Sequence, residues 1–283
     1  MLHPNRNHSI LDQCPVCDGG HHDLWQEKND YAIVRCRDCN FVFSRDYPNF
    51  DFLSRRYSKS YSKDAENFTP KGGIGRSLKY RILTRWLQKF FPEKESPIRL
   101  LEIGCGQGDL LKSVHNNPRF AAQGLDYGKR RVQYAREIGL DAREGDIESQ
   151  GFADNTFDLV VALHVIEHVH DLHSTIAEIR RVLKPGGLFF AVCPCVTHFK
   201  ARLAGERWKY LGPPGHLWYF SPRTFSRLVR RIGFETLSTS CFYHRAHVRI
   251  LAKKTDAPQP GSRQPASPPD RHSSIPDLGL EKK

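Results

Sequence analysis

RLLEIGCGQGDLL, residues 99–111, most restricts what this chain can fold into. An apolar run ends at Glu102, glycines follow at 104, 106 and 108, and a helical pattern begins near Asp109. Glycine takes positive φ without a Cβ clash and lets the backbone approach a ligand closely, while the first turn of a helix leaves N–H groups to be satisfied. Strand, glycine turn and helix in this order read as a βα unit with a ligand-facing corner. By itself GxGxG is a weak signal, and a dinucleotide-binding loop is usually spaced GxGxxG.

The chain repeats this alternation. Between residues 97 and 254, IRLLEI, QGDLLKSVHNN, AAQGLD, KRRVQYAREIG, FDLVVAL, HSTIAEIRRVL and GLFFAVC switch between short apolar runs and helical patterns. Such switching predicts βα units on a parallel sheet. SPRTFSRLVRRIGF is predicted as a helix capped by Ser221 with Pro222 in its first turn, and strand-like segments follow over 235–252. From Thr255 to Lys283 a third of the 18 prolines fall in about a tenth of the length, a composition that cannot build a core and predicts a disordered tail.

A second constraint lies at the N-terminus. Cys14 and Cys17 form CPVC, Cys36 and Cys39 form CRDC, and 18 residues separate the pairs. Two such knuckles match a tetrahedral zinc ribbon over residues 1–45, with four sulfurs filling every position and marking the ion as structural. A redox pair or unligated thiols are the alternatives. So small a segment has little core, so the ion would supply much of its folding energy. Trp25, Tyr31, Arg35 and Arg37 between the knuckles either build the hairpins or reach a substrate. Residues 46–96 form a helical linker or lid, in which apolar positions 74, 78, 82, 86 and 90 predict an amphipathic helix packed on the domain or a basic lid over an anionic substrate.

Composition narrows the function classes. No apolar run approaches the roughly 20 residues of a bilayer span, and the start MLHPNRNHSILDQC lacks the pattern of a secretory signal, so the expected compartment is the cytoplasm. The formal charge is +12, and four acidic and four basic residues in the tail cancel, leaving the excess on residues 1–254. That charge suits RNA, an anionic small molecule, a nucleotide-linked substrate or an acidic membrane surface, and does not choose among them.

Five ordered segments then resemble class I S-adenosylmethionine-dependent methyltransferases, of the small-molecule, ubiquinone-biosynthesis-like branch: LLEIGCGQG, GLDYG (124–128), EGDIES (144–149), FDLVVALHVIEHV (157–169) and LKPGGLFFAV (183–192). The resemblance covers residues 97–254. It implies an α/β fold, a Rossmann-like seven-stranded methyltransferase sheet with helices on both faces, and S-adenosyl-L-methionine as cofactor. Glu102 and the loop of Gly104, Cys105, Gly106 and Gly108 would hold the methionine part, with Cys105 a small loop residue and not a nucleophile. Asp126, with Tyr127 beside it, would accept from the ribose hydroxyls; Asp146 would accept from the adenine amino group while the Ile147 N–H meets a ring nitrogen. A helix N-cap for Asp126 and a loop carboxylate for Asp146 are the structural alternatives.

LHVIEHVH, residues 163–170, follows the fourth strand and so falls at the carboxyl edge of the sheet, where ligands bind in open α/β folds. His164 and Glu167 would line the cleft; His168 or His216 of GPPGHLWYF is the candidate base, or the group only positions the loop, with Glu167 and His168 capping it and bonding backbone. A related branch, the small-RNA 2'-O-methyltransferases, carries a divalent ion on ExxEH plus a distant histidine, so His164, Glu167, His168 and His216 are also a candidate second metal set. Trp208, His216, Trp218 and Tyr219 either line an aromatic substrate pocket or belong to the core. The resemblance implies methyl transfer to a small-molecule substrate, anionic if the charge serves it, at oxygen before carbon or nitrogen, in a quinone, natural-product or surface-glycan pathway. RNA methylation, helped by the ribbon and the basic surface, and a noncatalytic cofactor-binding protein are the alternatives.

Overall fold

A computed structural model describes residues 8–48, 74–92, 95–242 and 245–256. Most of the linker before residue 74, and the tail from residue 257, lie outside the described residues. Thr255, at the start of the proline-rich stretch, is still tied down: its N–H and Oγ1 donate to the Gly233 carbonyl at 3.1 and 2.8 Å.

The N-terminal segment forms β1 (His8–Ile10), β2 (His22–Lys28), β3 (Tyr31–Cys36), β4 (Val42–Ser44) and β5 (Asp46–Pro48), and α1 (Ile74–Gln88) leads into the larger unit. There the order is β6 (Ile98–Ile103), α2 (Asp109–Val114), β7 (Phe120–Asp126), α3 (Lys129–Glu137), β8 (Ala142–Glu144), β9 (Phe157–Leu163), α4 (Leu172–Val182) and β10 (Leu183–Pro194). After these come α5 (Phe199–Ala204), β11 (Trp218–Tyr219), α6 (Pro222–Arg231), β12 (Phe234–Cys241) and β13 (His247–Lys254).

Seven strands make one sheet in the order β12-β13-β10-β9-β6-β7-β8. Strands β6 to β10 pair in parallel, whereas β13 runs antiparallel to both β10 and β12. Strand β13 runs antiparallel because only five residues, 242–246, join it to β12, too few for a crossover helix. Successive strand residues face opposite sides, and here both sides are apolar. Leu100, Leu159, Val161, Leu188 and Phe190 pack with α1, α2 and α3. Leu101, Val160, Ala162, Phe189 and Ala191 pack on the other side with Ile176 and Ile179 of α4, Phe225 and Leu228 of α6, and Cys14, Val34, Cys36 and Phe41 of the N-terminal segment.

The ribbon is thus part of the cover of the large sheet. Its β2, β3 and β4 form an antiparallel sheet that β11 completes, in the order β11-β4-β3-β2. Trp218 pairs with Phe43 and Tyr219 with Val42. Between the knuckles, the side chains in question serve the hairpin: Tyr31 is buried, Arg35 lies over the Trp25 ring, and Arg37 pairs with Asp23.

Two readings are narrowed. In α1 the inward face is Tyr80, Leu83, Thr84 and Leu87, while Leu78 and Ile82 of the apolar stripe are 52% and 40% exposed. A strict four-residue spacing drifts about 40° per step around a helix, so that stripe wraps away from any one face. Trp208, Trp218 and Tyr219 are core residues, each under 5% exposed, so they do not line an open aromatic pocket.

Helix α6 shows local sequence acting as expected. Ser221 Oγ accepts from the Thr224 N–H, Thr224 Oγ1 accepts from the Ser221 N–H, and Pro222 occupies the first turn where no N–H is needed. Ser221→Ala should lower stability by about 1 kcal/mol, read as a reduced urea midpoint with an unchanged m-value.

Candidate active site

The carboxyl ends of β6, β7, β8 and β9 carry the site. After β6, Gly104, Gly106 and Gly108 take φ of 68°, 58° and 81°, so the loop is built in the region that excludes most side chains. A Cβ built on Gly106 would meet nothing within 4 Å, which leaves the space over the loop open for a ligand. Beneath it, Asp126 at the end of β7 is 5% exposed. Its Oδ2 accepts from the Gly106 N–H and its Oδ1 from the Gly128 N–H, both at 2.8 Å. It is not the cap of α3, whose N-cap is Gly128 with no side-chain bond. A carboxylate has about four acceptor positions, so two remain for a ligand's hydroxyls.

Asp146, after β8, accepts from Tyr127 Oη at 2.7 Å and from the Ser149 N–H at 2.8 Å. Burial opposes its ionisation, but the Ser149 and Tyr127 donors prevail and hold its pKa below the ordinary value. Ile147 is buried at the start of a single 3-10 turn, residues 148–150, and Glu102, near the end of β6, is 2% exposed. Cys105 is a buried loop residue, its N–H bonded to the Leu125 carbonyl at 2.8 Å.

The turn after β9 forms the facing wall. His164 takes φ of 57°, a left-handed conformation rare outside glycine and found often at functional sites. Its Nδ1 is 3.4 Å from Glu167 Oε1, and its ring packs against His247 at 4.5 Å. Glu167 is 1% exposed and its Oε2 has no hydrogen-bond donor among the described residues. Burial pushes the Glu167 pKa up, yet the His164 bond and the nearby imidazoles outweigh it and hold the carboxyl down near about 2. Deep burial first, then the carboxylate's charge, raise the pKa of the adjacent Cys193 thiol and keep it protonated.

His168 and His216 close on Glu167, their rings 4.5 Å apart, and one ligand atom from each of the three lies within 4.8 Å of the others. His168 Nδ1 meets the Gly215 carbonyl at 2.7 Å and His216 Nδ1 the Tyr210 carbonyl at 2.6 Å. A carbonyl only accepts, so each Nδ1 carries a proton, and a ring in its neutral form presents Nε2 as an acceptor. Burial first, then His168, lowers the His216 pKa to about 4, so this ring is neutral at pH 7. With His216 neutral, its free nitrogen and the Glu167 carboxylate are acceptors set close together, beside His168. His170 leaves this group and binds the Pro48 carbonyl at 3.1 Å.

Sequence reading missed His247 and Tyr210. His247 Nε2 bonds Tyr210 Oη at 2.8 Å, and Tyr210 in turn holds His216 through its carbonyl. No local signal marks His247, which arrives at the site because β13 pairs with β10 and sets it opposite Pro194.

The four thiols also converge. Cys14 Sγ lies 3.6 Å from Cys39 Sγ, and Cys17 Sγ lies 3.5 Å from Cys36 Sγ. Tetrahedral coordination with Zn–S bonds of about 2.3 Å would set sulfurs about 3.8 Å apart, so the cluster fits a zinc ion with little movement. Each knuckle is followed by a short polar residue at positive φ, Asp18 at 60° and Asn40 at 63°, which turns the chain back around the sulfurs. Cys14 donates to Cys39 and, against the effect of burial, draws that thiol down to about 5.

Residues 75–239 match the methyltransferase-domain family. The chain belongs to that family, and it is an S-adenosylmethionine-dependent methyltransferase. Over 182 residues this methyltransferase is 34% identical to a ubiquinone biosynthesis O-methyltransferase of Methylobacterium sp. (strain 4-46), covering 59% of this chain and 72% of that one. It is 32% identical over 158 residues to an S-adenosylmethionine-dependent methyltransferase of Mycolicibacterium smegmatis, covering 54% of this chain and 58% of the relative. The fold is shared with a chain of the complex between the Haloferax volcanii Trm112 methyltransferase activator and a methyltransferase, at a TM-score of 0.52 and 16% identity over 72% of this chain and 97% of that one. Among the described residues no helix is long and apolar enough to cross a membrane.

The buried His247 yields a pH test. Burial first, then His164, Arg245 and Lys209, lower its pKa to about 3, with Glu167 opposing. The unfolded chain therefore binds a proton that the folded chain does not, and stability falls as pH drops from about 6.5 toward about 3. In this methyltransferase His247→Gln should flatten the acid limb of the Tm–pH curve in that window and leave the curve above pH 7 parallel to wild type.

Proposed function

We propose that this methyltransferase transfers a methyl group to a hydroxyl oxygen of a small molecule in a biosynthetic pathway of the quinone, natural-product or surface-glycan type, in a reducing, cytoplasmic setting. The observation that carries this reading is the convergence of Glu167, His168 and His216 after the carboxyl end of β9. A substrate O–H would supply the donor that Glu167 Oε2 lacks among the described residues. The similarity to ubiquinone biosynthesis O-methyltransferases supports oxygen as the methylated atom.

When bound, S-adenosyl-L-methionine supplies an activated sulfonium methyl. Around it, Glu102 and the Gly104–Gly108 loop would hold the methionine part, Asp126 the ribose, Asp146 and the Ile147 N–H the adenine, with Tyr127 and His164 bordering the cleft. Glu167, His168 and His216 would orient the substrate hydroxyl, and an imidazole Nε2 would take the proton that the hydroxyl gives up. His168, one-third exposed, is the ring that can pass the proton on to water. Alignment of oxygen, methyl and sulfur supplies much of the rate. The four cysteines would hold a structural zinc.

Three measurements test this. Asp126→Asn keeps the shape but sets an amide N–H against a backbone N–H, and should weaken S-adenosylmethionine binding about 10- to 100-fold by calorimetry. Labelled methyl from the cofactor should enter the small-molecule fraction of a cell extract as a base-stable ether, and label confined to RNA would overturn the proposal. Glu167→Gln should retain cofactor affinity and lose about 10²-fold or more of that transfer.

The same acceptor set favours a second reading, a divalent cation held by Glu167, His168 and His216 that positions the hydroxyl, since both imidazoles are oriented through carbonyl bonds as metal ligands commonly are. Metal analysis separates the two. The zinc ribbon alone gives one equivalent per chain, whereas a cation on the wall gives a second that His168→Ala abolishes.

A further inference from the structure

Besides packing on the sheet, α4 and α6, the ribbon contacts the segment that carries His216. The Ser44 N–H donates to the Leu217 carbonyl at 2.9 Å, extending the pairing of β4 with β11 to the residue next to His216. Asn29 Nδ2 donates to the Pro213 carbonyl at 2.7 Å, and His173, at the start of α4, bonds the Pro15 carbonyl within the first knuckle. Phe41 and Phe220 pack at 5.3 Å and join the ribbon core to the end of this segment.

From β11 the connection continues into the wall. The Leu217 N–H donates to the Glu167 carbonyl at 2.9 Å, Trp218 Nε1 donates to the Val169 carbonyl at 2.7 Å, and His168 Nδ1 donates to the Gly215 carbonyl. The segment GPPGHL, residues 212–217, has two prolines without N–H groups and sits in no strand or helix of its own. Its position is set by what lies on either side. On one side is the 164–169 turn and on the other is β4.

We infer that the ribbon is a positioning element for the acceptor wall: β4, through its pairing with β11, sets the placement of Glu167, His168 and His216. The cofactor loop on β6 and β7 is held separately, by Asp126. Loss of the ribbon contacts therefore loosens the substrate side and spares cofactor binding. The inference rests on the proposed role of the wall only for its functional meaning; the mechanical link stands on the backbone bonds.

Hydrogen exchange on the full chain tests it with two variants. Ser44→Pro removes the N–H that bonds Leu217 and keeps all four thiols. Asn29→Gly removes the bond to Pro213 and suits the φ of 52° at that position. Amides of residues 164–170 and 212–220 should exchange about tenfold faster in Ser44→Pro, and those of 212–217 about threefold faster in Asn29→Gly. Residues 98–126 should be unchanged and S-adenosylmethionine affinity should stay within about twofold. Wild-type exchange of the wall in both variants overturns the inference, as does equal acceleration of residues 98–126, which makes the ribbon a general stabiliser. Should Ser44→Pro not fold, Asn29→Gly decides. Failure of the wall's proposed chemistry would appear instead as methyl transfer retained in Glu167→Gln, leaving the exchange result standing.

Discussion

A parallel sheet with apolar residues on both faces needs a cover on each, and this requirement organises the molecule. Leu159 and Val161 point one way from β9 and Val160 and Ala162 the other, and all four are fully buried. Helices α1, α2 and α3 cover one face. On the other, α4 and α6 are joined by the cysteine ribbon, whose Cys14, Cys36 and Phe41 belong to the same buried cluster as Leu101 and Phe189. A segment that would have little core by itself thereby shares that of the larger unit.

The same arrangement divides the site into two supports. The loop proposed to hold the cofactor is built from a few local bonds: the glycine turn leaves β6, and Asp126 one strand away holds Gly106 and Gly128. Charge opposite this loop is handled differently, because Glu167 is ionised while almost fully buried. Removing a carboxylate from water is costly unless donors or cations face it. His164 supplies part of that compensation, and the nearby imidazoles of His168 and His216 add to it. Backbone strain at His164 and the depressed pKa values of His216 and His247 cluster in this region, as they do where structure is held against local preference for function.

Much of this was legible beforehand. The strand boundary at Leu163, the start of α2 at Asp109 and the capping of α6 by Ser221 follow from local rules of periodicity, glycine turns and capping, which act within a few residues. The CxxC pairs were equally local, and the structure closes them into one cluster. The inward face of α1 was not legible, since its apolar residues wrap around the helix and only packing against α2 selects Tyr80, Leu83 and Leu87. Nor was the burial of Trp208, Trp218 and Tyr219, because an aromatic run reads the same whether it lines a pocket or fills a core.

By itself the sequence determined the βα order, the glycine corner with its acidic partners, and the four-thiol cluster, because each depends on residue types at short fixed spacing. Tertiary structure alone decided that β13 turns antiparallel and brings His247 to the site, that Gly215 and Tyr210 fix the tautomers of His168 and His216, and that β4 reaches across to β11. These depend on backbone groups from segments far apart in the chain. A carbonyl or an N–H is the same in every residue, so no pattern of side chains announces which of them will meet.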